Sequence, residues 1–273
     1  MLINNLGAKR LDKINKNPAR ITLNGKRHYT TPLVTGPAPS VTTMISETAS
    51  EKNKRKLEMW AKNNPGVKEK AAERGTAIHF GMEQYLKGNK EPVIAEEYKD
   101  FWAGMPKILD QFSQVIWAES PILDKYKFTL GADDVARVWG YDDEGRAWAG
   151  APDIIGIANN KITLADLKTS VKPYSRFWPK DFEKGSQPWK DLIGGNMKFK
   201  KTCKQLAAYD IAIEQTLGIK VQQAAILVST PKRTQIFKIS RRLLDTFRDD
   251  WYKIVEEYYS QIENCNVYDA DTI

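Results

Sequence analysis

Cysteine and histidine are scarce: Cys203, Cys265, His28 and His79 are all that 273 residues provide. Two cysteines cannot build a disulfide scaffold, a multi-cysteine zinc site or an iron–sulfur cluster. Two histidines exclude catalytic systems that need several. No apolar run approaches the roughly 20 residues of a membrane helix, so an integral membrane protein is not expected. The opening MLINNLGAKR lacks the apolar core of a secretory signal, and export is not expected either. The chain shows no internal repeat, no low-complexity run, no zinc finger and no helix-turn-helix pattern. What it does have is positive charge: 42 Lys+Arg against 34 Asp+Glu, a net +8, alongside eight tryptophans. That balance suits a polyanionic partner. At 41% hydrophobic and 28% charged, the chain can bury an ample core in the ordinary way of a globular protein.

The pattern along the chain predicts helices first and strands later. Residues 21–30 alternate around Asn24-Gly25, a two-residue hairpin signal. A Pro/Gly-broken stretch follows, and Ser40 reads as the N-cap of a short helix from Val41. Helices are expected over Glu51–Asn64, ended by Pro65-Gly66, over Val67–Leu86 with Gly88 just beyond, and over Ile94–Gln114 with a kink at Gly104 or Pro106. Strands are expected over Val115–Leu123, then as a hairpin of Asp134–Tyr141 and Arg146–Ala158, then over Lys161–Thr169 after the tight turn Asn159-Asn160. Lys172–Lys200 reads as irregular, Lys201–Leu217 as a helix, Val221–Ser229 and Thr234–Ile239 as strands, and Arg241–Tyr259 as a closing helix. The expected fold is one α/β domain: a small mixed sheet flanked by helices. It divides into an N-terminal extension with a hairpin (1–38), a helical lobe (39–114) and a core (115–273).

The most informative segments are Gly150-Ala151-Pro152-Asp153-Ile154-Ile155 and Leu164-Ala165-Asp166-Leu167-Lys168-Thr169. Strand alternation puts Asp166 and Lys168 on one face. The turn at 159–160 pairs their strand with the one that follows Asp153. Two carboxylates and an ammonium can then share a pocket, which is what metal-assisted phosphodiester hydrolysis requires: acids hold Mg²⁺ or Mn²⁺, and a lysine serves the attacking water and the developing charge. The alternative is a set of surface charges on a hairpin. It would leave both acids in apolar strands, where an unpaired charge is costly.

Two further pieces join these. In Arg74-Gly75-Thr76-Ala77-Ile78-His79, the histidine shares a helix face with Glu83, and a neutral imidazole suits Mn²⁺ as an extra ligand. In Gln205-Leu206-Ala207-Ala208-Tyr209, an amide and a phenol stand one turn apart with Lys201 one turn before; a solvated helix face explains that stripe equally well when taken alone.

The order G-T-A-x-H, G-x-P-D, D-x-K, Q-x-x-x-Y resembles the PD-(D/E)XK (restriction-endonuclease-like) nuclease superfamily, in its RecB-like and lambda-exonuclease-like branch. Pro39-Ser40-Val41-Thr42-Thr43 is similar to the segment found in the mitochondrial genome maintenance exonuclease and its bacteriophage relatives. The resemblance spans about residues 39–240. It implies that His79, Asp153, Asp166 and the Leu167 carbonyl bind one or two Mg²⁺ or Mn²⁺ ions, that Lys168 serves the water, and that Gln205 and Tyr209 complete the site. Glu119 lies where some relatives place an acid; a plain edge strand is the competing reading.

Between Lys172 and Lys204, nine basic residues meet only three acidic ones, interleaved with Tyr174, Phe177, Trp178, Phe182, Trp189 and Phe199. Cations that track phosphates and rings that stack on bases suit a single strand. Packing of the same rings onto the domain is the rival explanation. Ser40, Thr42, Thr43, Arg74, Thr76, Thr169, Ser170 and Lys201 are candidate backbone contacts. The expectation is a metal-dependent, sequence-independent DNA exonuclease that favours single strands or single-stranded ends, in the bacterial host cytoplasm of a phage-encoded protein. A structure-specific endonuclease on the same core, or a catalytically decayed nucleic-acid-binding module, are the alternatives.

Overall fold

The computed structural model of the protein describes residues 20–30, 37–118, 120–121 and 137–270. The first described elements are a hairpin, β1 (Arg20–Leu23) and β2 (Lys26–Tyr29), closed by Asn24 and Gly25 with φ 49° and 73°. Positive φ at both turn positions is what a two-residue turn needs to match strand twist, and Asn-Gly tolerates it best. Strand β3 (Ala38–Pro39) pairs with β2. Helix α1 (Val41–Glu47) follows, capped by Ser40, whose Oγ accepts the Thr43 N–H at 3.0 Å.

Helix α2 (Glu51–Asn63) buries none of its residues, while α3 (Val67–Leu86) buries Ile78, Gly81, Met82 and Tyr85. The sequence predicts a single helix over Ile94–Gln114. The structure instead has a 3₁₀ turn at Glu96–Tyr98, α4 (Lys99–Trp102) and α5 (Met105–Leu109). Gly104 and Pro106 divide the run outright, and Phe112 already begins a strand. An added Cβ on Gly104 would lie 2.2 Å from the Thr234 hydroxyl, so close approach to the sheet fixes the break there.

Strand β4 (Phe112–Ala118) and the short β5 (Ser120–Pro121) replace the strand expected over Val115–Leu123. The second hairpin is real but smaller than expected. Strand β6 (Val138–Tyr141) pairs with β7 (Ala147–Gly150) as a two-stranded sheet. Chain 151–153 then leaves that sheet, and β8 (Ile154–Ala158) joins another. Strand β9 (Lys161–Thr169) follows through Asn159 and Asn160, both at positive φ. Helix α6 (Gln187–Leu217) starts 14 residues earlier than the sequence predicts, with Ser186 as N-cap, Pro188 in the first turn and Gly218 at φ 66° past its end. Strands β10 (Gln223–Ser229) and β11 (Thr234–Ser240) and helix α7 (Arg241–Ala270) complete the fold.

The main sheet has the order β11-β10-β9-β8-β4-β5. Strands β4, β8 and β9 run as an antiparallel meander, and β10 is parallel to β9, which requires the long α6 crossover. The alternation of the central strands sorts their apolar side chains between two layers. Ile155, Leu164, Ala224, Ile226 and Val228 pack with α1, α6 and α7. Ile154, Ala165, Leu167, Ala225 and Leu227 pack with Ile78, Met82, Phe101, Met105 and Leu109 of α3–α5. The segment read as a helical lobe therefore covers one face of the sheet. The fold is mixed α/β, with helices on both faces. Among the described residues no helix is long and apolar enough to cross a membrane.

One buried acid ties α6 to α7 in the first of these layers. Asp210 of α6 is fully buried, and its oxygens accept from Arg241 Nη1 at 3.0 Å, Arg241 Nη2 at 2.7 Å and Arg248 Nε at 2.6 Å. Arg248 also bonds Glu214 at 2.8 Å. Removing the shared acid leaves two guanidinium groups facing each other, and breaking a buried pair on one side costs about 3 kcal/mol or more. Asp210→Asn is expected to lower stability by about 3 kcal/mol in urea unfolding.

Candidate functional site

The expected ligands arrive from three elements. Helix α3 presents His79, and the bend between β7 and β8 presents Asp153. Strand β9 presents Asp166 and Lys168, which alternate with Leu167 and so share the sheet face that α6 covers. The bend at 151–153 is pinned by Trp117 of β4, whose indole N–H donates to the Pro152 carbonyl at 3.0 Å.

His79 and Asp153 meet: Nε2 lies 3.2 Å from Asp153 Oδ2. His79 Nδ1 lies 2.8 Å from the Gly75 carbonyl, which can only accept, so Nδ1 carries the proton. The lone pair of a neutral Nε2 would then face a carboxylate oxygen. The contact is attractive only with a proton on Nε2 or a cation held by both groups. Asp153 Oδ2 also accepts the Leu167 N–H at 2.6 Å, which locks it to β9. Burial pushes the Asp153 carboxyl up. His79, Lys168 and the Leu167 amide outweigh it and hold the group below its ordinary range.

Asp166 is fully buried. Lys168 Nζ stands 2.6 Å from its Oδ2 as an ion pair, but neither oxygen accepts a hydrogen bond of good geometry. Burial, opposed by Lys168 and reinforced by Asp153, raises this carboxyl to about 6. Lys168 is desolvated, which alone would lower it, yet Asp166 and Asp153 together hold it above its usual value. It is therefore an ammonium at neutral pH, suited to stabilising negative charge and unsuited to removing a proton.

Helix α6 brings Gln205 and Tyr209 to the same place. Gln205 Nε2 donates to Tyr209 Oη at 3.2 Å, and both residues are buried. Burial and the charges of Asp166 and Asp153 raise the Tyr209 phenol well above its ordinary value, so it stays neutral. Its ring lies against Gly150, where an added Cβ would come within 2.4 Å of Cε1. Glycine is thus needed three residues before Asp153. Lys201 is exposed, and desolvation of its amine and the nearby Lys168 charge lower it, which places it at the same edge. Cys203 is buried with its thiol pushed up to about 12, so it is no nucleophile.

The remaining candidates divide. Ser40 and Thr43 are buried and engaged with each other, with Oγ and Oγ1 2.8 Å apart, and Thr43 Oγ1 donates to the Arg27 carbonyl at 3.0 Å. Their hydroxyls close a cap in a seven-residue helix; Thr42 is exposed beside them. Thr76 is exposed and donates to the Ala72 carbonyl at 3.1 Å. Thr169 faces Gly75 of α3, and Ser170 is buried at the end of β9. Glu83 pairs with Lys87 one turn on. Glu119 lies outside the described residues.

Two contributors were not assigned to this site from the sequence. Tyr174 is buried beside the Lys168 and Asp166 charges, its backbone held by Gln235. Lys198 lies two turns before Gln205 on α6, and its Nζ donates to Ser170 Oγ at 3.0 Å. Had the helix been read from Gln187, the i, i+3, i+7, i+11 spacing of Lys198, Lys201, Gln205 and Tyr209 would have shown one stripe.

Among the described residues, no three His, Cys, Asp or Glu side chains form a ready-made metal cluster. The donor chemistry nevertheless fits a hard divalent cation: two carboxylates, an imidazole whose Nε2 faces one of them, and buried Asp166 oxygens without hydrogen bonds. The pairing of Asp166 with Lys168 has a direct thermodynamic test. Lys168→Met leaves a buried carboxylate alone and is expected to cost about 3 kcal/mol at pH 8, whereas Asp166→Asn with Lys168→Met costs much less. Thermal melts of both variants measure the difference.

No protein-family model matches the chain, and no curated protein matches it. A solved structure described as the crystal structure of SSO0001 is similar at 16% identity and a TM-score of 0.41, over 96% of this chain and 86% of that one.

Proposed function

We propose that the protein is a metal-dependent deoxyribonuclease of the PD-(D/E)XK type, an exonuclease that favours single-stranded DNA or single-stranded ends. The observation that carries this reading is the convergence of His79, Asp153, Asp166 and Lys168 from a helix, a bend and one strand. The element order α3, β4, β8, β9, α6, β10, with an antiparallel meander and a parallel crossover, supports the same core.

Asp153 and Asp166, with His79 and the Leu167 carbonyl, would hold one or two Mg²⁺ or Mn²⁺ ions. A bound ion would supply Lewis-acid stabilisation of the phosphate and a more acidic water. The Lys168 ammonium stabilises the charge that grows on the phosphoryl oxygens as water attacks in line. Tyr209, kept neutral, and Gln205 orient polar groups at the reacting phosphate. Phe177, Trp178 and Phe182 are 77%, 54% and 46% exposed, among Lys172, Arg176, Lys180 and Lys184. Exposed rings among cations fit the stacking and phosphate tracking of a single strand. Tyr174 and Phe199 of the same segment are core residues.

Digestion of end-labelled single- and double-stranded DNA is expected to proceed in Mg²⁺ or Mn²⁺ and stop in EDTA. A circular single strand is expected to survive; its cleavage would favour the endonuclease reading. Asp166→Ala or Lys168→Ala is expected to slow cleavage about 100- to 1000-fold with DNA binding retained. Full activity of either variant in Mg²⁺ would defeat the proposal. Metal affinity carries a pH signature as well. The Asp166 carboxyl, raised to about 6, must be ionised to bind, so protons compete for it at and below that pH. Calorimetric Mn²⁺ titration is expected to show affinity level above pH 7 and falling about tenfold per unit below 6.

A further inference from the structure

Arg74, Ser170 and Lys198 come from α3, the end of β9 and α6; Arg74 stands over Phe101, whose carbonyl accepts from Ser229 Oγ at 2.6 Å, and the Ser229 carbonyl accepts the Ser170 N–H at 2.9 Å. Lys198 Nζ donates to Ser170 Oγ at 3.0 Å, and Ser170 is buried beneath it. The Arg74 guanidinium lies over the Phe101 ring at 4.7 Å, and its Nε is buried without a hydrogen-bond partner. Among the described residues, neither Arg74 nor Lys198 forms an ion pair. Desolvation, then repulsion from Arg74 and from Lys172, lowers the Lys198 amine. Lys172 is itself paired with Asp191 at 2.7 Å, so that acid is engaged elsewhere. Lys198, bonded to a buried hydroxyl, and Arg74 are thus two neighbouring like charges, and among the described residues no carboxylate pairs with either. A fold tolerates that arrangement where an anion relieves it.

We propose that Arg74, Ser170 and Lys198 form a clamp for one phosphate group of a nucleic-acid strand, separate from the phosphate being cleaved. A guanidinium supplies a fork of donors, the ammonium a point charge and the hydroxyl a further hydrogen bond, the complement that tetrahedral phosphate oxygens take. The proposal rests on the reading of the neighbouring site as one that handles nucleic acid. Its test therefore measures binding and not cleavage. The phosphate is either an internal linkage or a strand end.

Fluorescence anisotropy of the full chain with a labelled single-stranded oligonucleotide, in EDTA and across a salt series, reads the clamp directly. Lys198→Met and Arg74→Met are each expected to raise Kd about tenfold. Each is expected to reduce the slope of log affinity against log salt by about 0.7, while Lys198→Arg keeps it. Replacing single linkages by uncharged methylphosphonate is expected to weaken wild-type binding at one position and to cost Lys198→Met nothing more there. If removing a terminal phosphate reproduces that pattern and the internal replacements do not, the clamp grips the strand end. Wild-type Kd and slope in both methionine variants, with unchanged thermal melts, would overturn the clamp, as would a wild-type protein that fails to bind single strands. Binding that follows the expected pattern in a protein that cuts no DNA with any metal would retain the clamp and remove the nuclease reading. Normal cleavage with unaltered binding would do the reverse.

Discussion

The pairing of β8 with β9 is the constraint on which the rest depends. It brings the bend before Ile154 alongside Leu167, so the Asp153 carboxylate closes onto the Leu167 amide of the neighbouring strand. That bond sets Asp153 next to the face that Asp166 and Lys168 share. Three charged groups then sit among the buried apolar side chains of the central strands. Water would stabilise them better, so the fold must compensate within itself. Lys168 serves Asp166, and His79 and the amide serve Asp153, with little left over. The site is held in place by geometry at a cost in stability.

The surrounding layers keep that arrangement in register. Trp117 fixes the Pro152 carbonyl, and Trp148 donates to the Ala208 carbonyl at 3.1 Å, joining β7 to α6 next to Tyr209. Gly150 leaves room for the Tyr209 ring. The Asp210 network, one residue further along α6, ties the same helix to α7. Polar side chains at the site and polar side chains in the support thus alternate along a single helix, with no break between them.

Much of this was legible in the sequence wherever local chemistry decides structure. Asn24-Gly25 and Asn159-Asn160 announced turns because few other residues accept positive φ. Ser40 announced a helix start, and D-x-K alternation announced a shared face. What failed was decided at longer range. Arg146–Ala158 reads as one apolar strand, but its two halves belong to different sheets, and nothing local marks 151–153 as the place of departure except Pro152. The basic, glycine-containing run from Gln187 to Lys200 looked irregular. Gly194 and Gly195 weaken a helix locally, but packing of Gly195 against the 173–175 backbone favours it, since any side chain there would collide with the Pro173 carbonyl. The Thr43 hydroxyl looked free because the partner that takes it, the Arg27 carbonyl, lies on a separate hairpin.

The continuity of α6 has a mechanical consequence. Lys198 and Tyr209 ride one unbroken rod and are separated by about 16 Å along its axis. Neither can move without carrying the other, and the anchoring arginines at Asp210 hold the rod in its C-terminal third. Any relative motion at the site must therefore come from the opposite side, where α3 and the chain between β9 and α6 are separately attached. The site therefore has one stiff side and one side made of parts.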